Sequence, residues 1–268
     1  MNTTPVPIRH AATVIVTRRA QGGEGLDLLM LERSARSVFV PSVWVFPGGG
    51  VDPGDSTEAL TAACRGITAE TADLLLESPG ALRFWVAAIR EAFEEAGVLF
   101  GLGPDGGAPG PEVMARAGHP LDSRAFTALV DEHRLTLDAG ALTYVGRFVT
   151  PPGSPRRFDA RFFLAEVPPE QEPVHDGVEI AAMTWMGTGE ILLRHSHGEF
   201  PLITPTLTMV KRLDSLGSLP AARRRADEGV DHRVRITPGV EGPDRIRFPG
   251  DPGYDAASTT IEFGWVRI

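Results

Sequence analysis

The sequence predicts a mixed α/β fold built in layers, and three observations support this prediction. Short segments rich in Val, Ile, Leu and Phe have the composition of β-strands. Longer segments with apolar residues at helical spacing are interspersed with these strands. Clusters of Gly and Pro separate the two kinds of segment, as expected for turns and loops. Interspersed strands and helices favour a layered fold in which helices cover a sheet.

The first two predicted strands are joined by a Gly-rich turn at 21–25, and the third breaks into a Gly/Pro loop at 47–55. Two later strands are separated only by the segment 152–155, so they can pair with each other. The predicted strands cover 11–20, 26–34, 43–46, 141–151, 156–168 and 180–186.

Helices are predicted between these strands. The segment 56–80 is expected to be helical and to end at Pro79 and Gly80. A second helix is expected from about Ala81 to Ala96, closed by Gly97 as a C-terminal cap. Two further helices are predicted at 188–195 and 204–216.

Composition limits the class of protein. The chain has 268 residues, 42% of them hydrophobic and 23% charged, which suits one elaborated domain or two small ones. Cys64 is the single cysteine, so no intrachain disulfide and no cysteine-rich zinc site can form. The first residues do not resemble a signal peptide, and no apolar run approaches a membrane span of about 20 residues. We therefore expect a cytoplasmic protein with no membrane partner.

Net charge bears differently on nucleic acids and on small phosphorylated ligands. A formal charge of −9 argues against an extended nucleic-acid-binding surface. It does not exclude a small molecule that carries phosphate, because a bound cation can reverse the local sign.

The segment Ile89–Val98 concentrates acidic residues beside apolar ones. On a helical wheel, Trp85, Ile89, Ala92 and Ala96 share one stripe, whereas the three glutamates of this segment occupy a separate arc beside it. The three glutamates are Glu91, Glu94 and Glu95. Such a cluster is either an ordinary solvated face or an edge that binds a hard cation, which prefers carboxylate oxygens. The preceding glycines favour the second interpretation, since they let the backbone approach a ligand closely.

These residues resemble the box of the Nudix hydrolase superfamily, G-x5-E-x7-R-E-U-x-E-E-x-G-U, in which U is bulky and aliphatic. Gly49 and Asp55 match its first part, with Asp where Glu is usual. Residues 90–98 match its second part, with Ala92 small for its place. The two parts are separated by 34 residues instead of the usual seven, which predicts an insertion at about 56–80.

The split box is similar to that of the Nudix branch that contains the mammalian coenzyme A diphosphatase. The upstream coenzyme A signature of that branch is matched at Leu28, Leu29, Arg33, Ser34, Phe46, Pro47, Gly48 and Gly49. Val38 stands where the signature has Arg, and Ser42 stands where it has Gly. Arg36, two residues before Val38, is a candidate substitute for that Arg.

The resemblance implies a Nudix α/β/α sandwich with a mixed sheet and a metal site that takes Mg²⁺ or Mn²⁺. It implies that Glu91, Glu94 and Glu95 bind the metal, with Glu94, Glu95 and Arg90 in catalysis and Arg90 orienting the acidic cluster. Asp55 would support these residues without touching the metal. Substrate binding is implied for three residues of the upstream signature, namely Arg33, Gly48 and Gly49.

The implied reaction is hydrolysis of a diphosphate in coenzyme A or acyl-coenzyme A, which gives adenosine 3′,5′-bisphosphate and phosphopantetheine or its acyl form. Hydrolysis of ADP-ribose, NADH or a related nucleotide is one alternative, and a Nudix-fold nucleotide sensor without activity is another. A general base is also needed, and Asp159, Glu166 and Glu179 are the carboxylates considered outside the box. For Asp159, an ion pair with Arg156 or Arg157 is the favoured interpretation.

The chain is expected to form one Nudix domain over 1–217 and a C-terminal extension over 218–268 that packs on it; a homodimer is left open. Several other features have ordinary structural interpretations that we prefer over ligand binding. These features are the aromatic residues Phe39 and Trp44, the pair His195 and His197, and the run Arg223–Arg225.

Overall fold

The computed structural model describes residues 6–20, 25–35, 41–175, 177–237, 239–240, 243–257 and 264–268. Its strands are β1 (Ile8–Arg19), β2 (Leu26–Arg33), β3 (Trp44–Val45), β4 (Gly48–Gly50), β5 (Cys64–Arg65), β6 (Gly101–Leu102), β7 (Thr136–Asp138), β8 (Thr143–Val149), β9 (Arg157–Glu166), β10 (Ile180–Gly187), β11 (His232–Arg233), β12 (Arg235–Ile236), β13 (Ile246–Arg247) and β14 (Gly264–Val266). Its α-helices are α1 (Glu58–Ala63), α2 (Ala69–Leu76), α3 (Leu82–Ala96), α4 (Pro111–Met114), α5 (Ser123–His133), α6 (Thr188–Ser196), α7 (Thr204–Leu216) and α8 (Leu219–Asp227).

Nine strands of the described residues form one mixed sheet. Its main path runs β10-β2-β1-β9-β8-β14-β11, with β3 beside β2 and β4 beside β1. The pair β1 and β9 is parallel over ten residue positions, whereas the other pairs of this sheet are antiparallel. The predicted pairing of the strands now called β8 and β9 is therefore confirmed.

Alternate residues of the central strands fill cores on the two faces of the sheet. Val14 and Val16 face a core built largely from α3, whereas Ile15 between them faces a core built from α6, α7 and α8. This alternation follows from the two-residue period of a strand, and it leaves both faces covered. The prediction of an α/β/α sandwich with a mixed sheet is confirmed.

The box insertion differs from the single helical segment predicted at 56–80. Cys64 and Arg65 form the short strand β5, which pairs with β7 and separates α1 from α2. Gly66 then adopts a left-handed conformation with φ of 83°, and the Thr68 hydroxyl caps α2 by accepting from the Thr71 amide at 3.1 Å. The prediction of continuous helix was wrong because long-range strand pairing overrides local helix propensity here.

The C-terminal residues that the structure describes contact the sheet. β14 pairs antiparallel with β8, and β11 pairs with β14. The boundary at residue 217 stays a prediction. Every helix in the described part of the chain is too short or too polar to cross a bilayer. The cytoplasmic location and the homodimer likewise stay predictions.

Candidate active site around the acidic helix

Helix α3 carries the acidic cluster because its two ends and its apolar face are well defined. The Asp73 carboxylate accepts a hydrogen bond from the Ala81 amide at 2.7 Å at the start of the helix. Gly97 ends the helix in the left-handed conformation with φ of 66°, as predicted. Trp85 and Ile89 are buried on the stripe that faces the sheet, which leaves the glutamates at the edge of the core.

Arg90 is the centre of a buried ion-pair network. Its guanidinium donates two parallel hydrogen bonds to the Asp55 carboxylate, at 2.9 and 3.0 Å. It also donates to Glu91 at 2.8 Å, to the Gly50 carbonyl at 3.0 Å and, weakly, to Glu94 at 3.5 Å. The Arg90 side chain is 5% exposed and the Asp55 side chain is fully buried. Arg90 thus fixes α3 to the segment that follows β4 and orients Glu91.

The local turn explains why Asp, with its short side chain, stands at position 55. Asp55 lies in a 3₁₀ turn, Pro53–Ser56, in which Asp52 accepts from the Gly54 amide and Asp55 accepts from the Asp52 amide. This fully buried carboxylate both closes the turn and holds Arg90. This geometry agrees with a supporting role, which stays a prediction.

The glycines before the box form a strand, which differs from the loop predicted there. Gly48, Gly49 and Gly50 pair antiparallel with Thr13, Ala12 and Ala11 of β1. The Gly48 amide donates to the Glu95 carboxylate at 2.8 Å. A Cβ atom added at Gly49 would lie 2.5 Å from a Glu91 carboxylate oxygen. Gly49 is needed because α3 crosses β4 too closely there for a side chain, and a Cβ at Gly48 would lie 2.5 Å from the Ala12 carbonyl oxygen of β1.

Electrostatics at the cluster are unfavourable without a cation. Burial raises the pKa of Glu91, against the opposing effect of Arg90, and Glu94 raises it further. Burial also raises the pKa of Glu95, and the charge of Glu91 adds to this. The pKa of Glu94 is raised as well, again mainly by burial. A hard divalent cation would relieve this repulsion, so the donor set fits Mg²⁺ or Mn²⁺.

The carboxylates are not yet arranged around a common point. Among the residues that the structure describes, no three Asp, Glu, His or Cys side chains converge in a way that could hold a metal ion. Glu91 is turned towards Arg90 and Glu95 towards Gly48, which explains this arrangement. Rotation of these side chains would turn their oxygens towards a shared cation.

Glu179 joins the cluster from a distant part of the chain. It precedes β10, and it lines a cavity of about 10 Å³ together with Glu94, Glu95, Pro120 and Ile180. Such a volume holds about one water molecule. The negative charge of Glu179 also contributes to the raised pKa of Glu94 and of Glu95. Of the three carboxylates considered as general base, Glu179 is the one beside the acidic helix.

The other two carboxylates lie elsewhere. Asp159 accepts from Arg147 at 2.8 and 3.0 Å and also pairs with Arg161, so its predicted pairing with Arg156 or Arg157 was wrong. The sequence suggested the nearest arginines, whereas pairing of β8 with β9 brings Arg147 close. Glu166 is exposed at the end of β9.

Arg33 supplies positive charge beside the acidic cluster. It ends β2, and its charge lowers the pKa of Glu95 in opposition to burial. Its buried Nε atom has no hydrogen-bond partner among the described residues. Ser42, which replaces a signature Gly, donates its amide to the Arg33 carbonyl and has a left-handed φ of 55°, a conformation that Gly favours. Arg36, Val38 and Phe39 lie outside the described residues.

The remaining candidates have structural partners. Trp44 stacks on Phe200 with ring centroids 4.4 Å apart, so one face of its ring is covered by the protein itself. His195 contacts the Phe200 carbonyl at 3.0 Å, and Arg225 pairs with Glu228. These contacts agree with the structural interpretations preferred for these residues.

Replacing Gly49 with Ala is expected to displace the Glu91 carboxylate and weaken Mn²⁺ binding by about tenfold, which is about 1.4 kcal/mol. The added methyl group needs space that Glu91 now fills. Gly50→Ala is the matched control, because a Cβ at Gly50 meets no atom within 4 Å. Mn²⁺ affinity would be measured by electron paramagnetic resonance; equal affinities for the two variants would contradict the close packing described here.

Comparisons with known proteins agree with this geometry. The family model described as the NUDT19 Nudix domain matches residues 61–213, more than half of the chain. The chain is 30% identical to acyl-coenzyme A diphosphatase NUDT19 of Gallus gallus over 92% of its own length and 81% of that protein. It is 31% identical to the Homo sapiens protein of the same name, over 91% of the chain and 76% of that protein.

A solved structure is similar to this chain in both fold and sequence. The crystal structure of a Nudix hydrolase from Alicyclobacillus acidocaldarius matches with a TM-score of 0.68 and 31% identity, covering 82% of this chain and 96% of that one. The sequence resemblance, the sandwich fold and the acidic helix thus lead to one family. The chain belongs to the Nudix hydrolases, within the NUDT19 Nudix domain family, and is a Nudix diphosphohydrolase.

Proposed function

We propose that this protein hydrolyses the diphosphate of coenzyme A or acyl-coenzyme A with Mg²⁺ or Mn²⁺, giving adenosine 3′,5′-bisphosphate and phosphopantetheine or its acyl form. The observation that carries this proposal is the meeting of an acidic cluster with the Arg33 cation at the end of β2. Carboxylates that can hold a cation and an arginine with a free donor suit the two sides of a diphosphate. The names of the avian and human relatives supply the substrate class.

Glu91, Glu94 and Glu95 would hold the cation, with Glu91 oriented by Arg90 and Glu95 by the Gly48 amide. When bound, the cation supplies neutralisation of phosphate charge and a lower pKa for water. Asp55 keeps Arg90 in place from the opposite side. Arg33 would bind phosphate oxygens through its guanidinium, whose planar donors match them.

Glu179 is the general base that the geometry supports best. It would accept the proton of the attacking water in the small cavity that it shares with Glu94 and Glu95. Glu179→Gln is expected to lower kcat by about 10²–10⁴-fold while Mn²⁺ affinity changes little. Glu166→Gln, at the exposed end of β9, is the matched control and should keep full activity. A wild-type kcat for Glu179→Gln would exclude this role.

Arg33→Ala is expected to raise KM by about tenfold or more, because a lost hydrogen bond to a charged group costs about 1.5–3 kcal/mol. The value of kcat should change less, since the acidic cluster is untouched. Steady-state kinetics would measure both parameters, with Arg19→Ala at the exposed end of β1 as the control. A loss of thermal stability with unchanged KM would make Arg33 purely structural.

The substrate is tested with a panel of coenzyme A, an acyl-coenzyme A, ADP-ribose, NADH and capped RNA, each incubated with Mg²⁺ or Mn²⁺. Products are identified by mass spectrometry. Release of adenosine 3′,5′-bisphosphate from coenzyme A or its acyl form alone would support the proposal. Cleavage of ADP-ribose or NADH in preference would replace the substrate, and binding without cleavage of any compound would overturn the reaction.

A further inference from the structure

A second cavity lies on the other side of the sheet from the acidic helix. Its volume is about 350 Å³, and its walls come from α7 and from the segment around β13. α7 packs through Leu207, Val210 and Leu213 into the core opposite α3. The cavity is therefore separate from the Nudix site and has no part in the reaction proposed above.

The walls of this cavity are positively charged in a chain whose net charge is −9. Lys211, Arg212 and Arg247 line it, with Asp251 as the single acidic residue among the lining side chains. The Asp251 carboxylate accepts from the Phe248 amide at 2.8 Å and so closes a turn. Three cations thus line one cavity with a single acidic side chain.

The cations are held in place by backbone oxygens. Lys211 donates to the Ile246 carbonyl at 2.6 Å, Arg247 donates to the same carbonyl at 3.2 Å, and Arg212 donates to the backbone oxygen of Ile268. Arg212 also lies over the Phe248 ring, 5.2 Å from its centroid. These contacts fix the three side chains, and Lys211 and Arg247 meet only a neutral carbonyl and form no salt bridge with a side-chain carboxylate of the described residues.

The electrostatics agree with an incomplete site. Burial lowers the pKa of Lys211, and the charge of Arg247 lowers it further against the opposing effect of Asp251. Burial also lowers the pKa of Arg212, with the nearby Arg225 adding to the effect. A bound anion would offset the repulsion among these cations and the cost of their burial.

We propose that this cavity binds a small molecule carrying a phosphate monoester, held by Lys211, Arg212 and Arg247. Arginine forks and a lysine ammonium match the oxygens of a tetrahedral dianion. The volume lies at the lower end of the range for small-molecule sites, about 300–1,000 Å³. It therefore leaves room beside the phosphate for an attached group. Ser215, whose hydroxyl donates to the Arg212 carbonyl at 2.8 Å, and Phe248 also line this space.

The test measures phosphate binding by isothermal titration calorimetry in EDTA, with the full chain and no turnover. EDTA removes any divalent cation that could bridge phosphate to the acidic cluster, and the cavity variants assign the remaining binding to the basic cavity. The proteins compared are wild type, Lys211→Gln, Arg247→Gln and Arg224→Gln. Arg224 is exposed on α8, so its variant removes the same charge away from the cavity.

Wild type and Arg224→Gln are expected to bind inorganic phosphate equally, and the two cavity variants at least about tenfold more weakly, a loss of about 1.4 kcal/mol each. Melting temperatures identify any variant that fails to fold. If one cavity variant does not fold, the phosphate affinity of the other cavity variant tests the proposal. Equal affinity in all four proteins would show that phosphate binds elsewhere and would overturn the proposal. Equal weakening in all three variants would show that only overall charge matters and would overturn it too. So would a wild-type Kd above about 10 mM.

A second arm uses adenosine 3′,5′-bisphosphate under the same conditions. If it binds wild type about tenfold more tightly than inorganic phosphate does, and Arg247→Gln abolishes this gain, the cavity recognises a phosphorylated nucleoside. Equal affinities would assign the cavity to free phosphate. Failure of both arms would leave the proposed hydrolase reaction untouched, because neither arm depends on catalysis.

Discussion

Replacing Glu95 with Gln is expected to lower kcat by about 10²–10³-fold or more. In the proposed reaction Glu95 holds the catalytic cation, and losing such a ligand removes several kcal/mol of transition-state stabilisation. The fold should persist, since the Gln side-chain oxygen can still accept from the Gly48 amide. Steady-state turnover and Mn²⁺ affinity measure the effect together. Glu58→Gln, exposed on α1, is the matched control.

The same substitution is expected to stabilise the metal-free protein at neutral and higher pH. Burial raises the pKa of Glu95 above its ordinary value, so the folded state binds this proton more tightly than the unfolded chain does. Stability is then lost as pH rises from the ordinary value of 4.5 through the raised pKa. Gln has no such ionisation, so its variant should lose less stability over that range.

Thermal denaturation in EDTA at several pH values tests this expectation. A melting temperature that falls with rising pH in wild type, but less in Glu95→Gln, is the expected result. Full turnover by Glu95→Gln with unchanged metal dependence would contradict the assignment of the acidic helix as the metal site.

Replacing Arg90 with Met is expected to destabilise the protein by about 3–5 kcal/mol, because removing one partner of a buried ion pair leaves the other charge uncompensated. The uncompensated group is Asp55, which has no exposed side-chain surface and loses two hydrogen bonds at once. Unfolding by urea measures the change. Activity should fall as well, because Glu91 loses its orienting donor.

The double variant Arg90→Met with Asp55→Asn separates two contributions to the stability loss, namely the uncompensated charge of Asp55 and the packing lost with the Arg90 side chain. It should recover part of the stability, since Asn carries no charge and can still accept from the Asp52 amide. Arg65→Met is the surface control, because Arg65 and Asp138 form a half-exposed pair worth about 0–1 kcal/mol. A loss no larger at Arg90 than at Arg65 would show that the buried network is not what holds α3.

Prediction from sequence succeeded where a short segment contains its own signal. The strands near the N terminus, the hairpin of β8 and β9, and α3 with its Gly97 cap were all predicted, since periodicity and capping are local. Helix α5 was not predicted, although Asp122 before it is a capping residue that accepts from the Ala125 amide at 2.8 Å. The strand of three glycines was taken for a loop because glycine disfavours strands, and only pairing with β1 makes it one.

The candidate active site was also predictable only where its residues are close in sequence. Sequence by itself determined the family, the acidic helix and the identity of Glu91, Glu94 and Glu95, because these residues lie within five positions of one another and the box pattern is specific. It also indicated a supporting role for Asp55 and an orienting role for Arg90. It did not determine that they form two hydrogen bonds in the interior, since 35 positions separate them.

Only the tertiary structure decided which of three carboxylates stands beside the acidic helix, and which cations share the cavity behind α7. Glu179 is 84 positions from Glu95, and Arg247 is 36 positions from Lys211. Local patterns carry no information about such pairs, because the contacts arise when separate elements pack on the two faces of one sheet. Helix periodicity placed the glutamates at an edge of the core, and the packing of the sheet determined what meets them there.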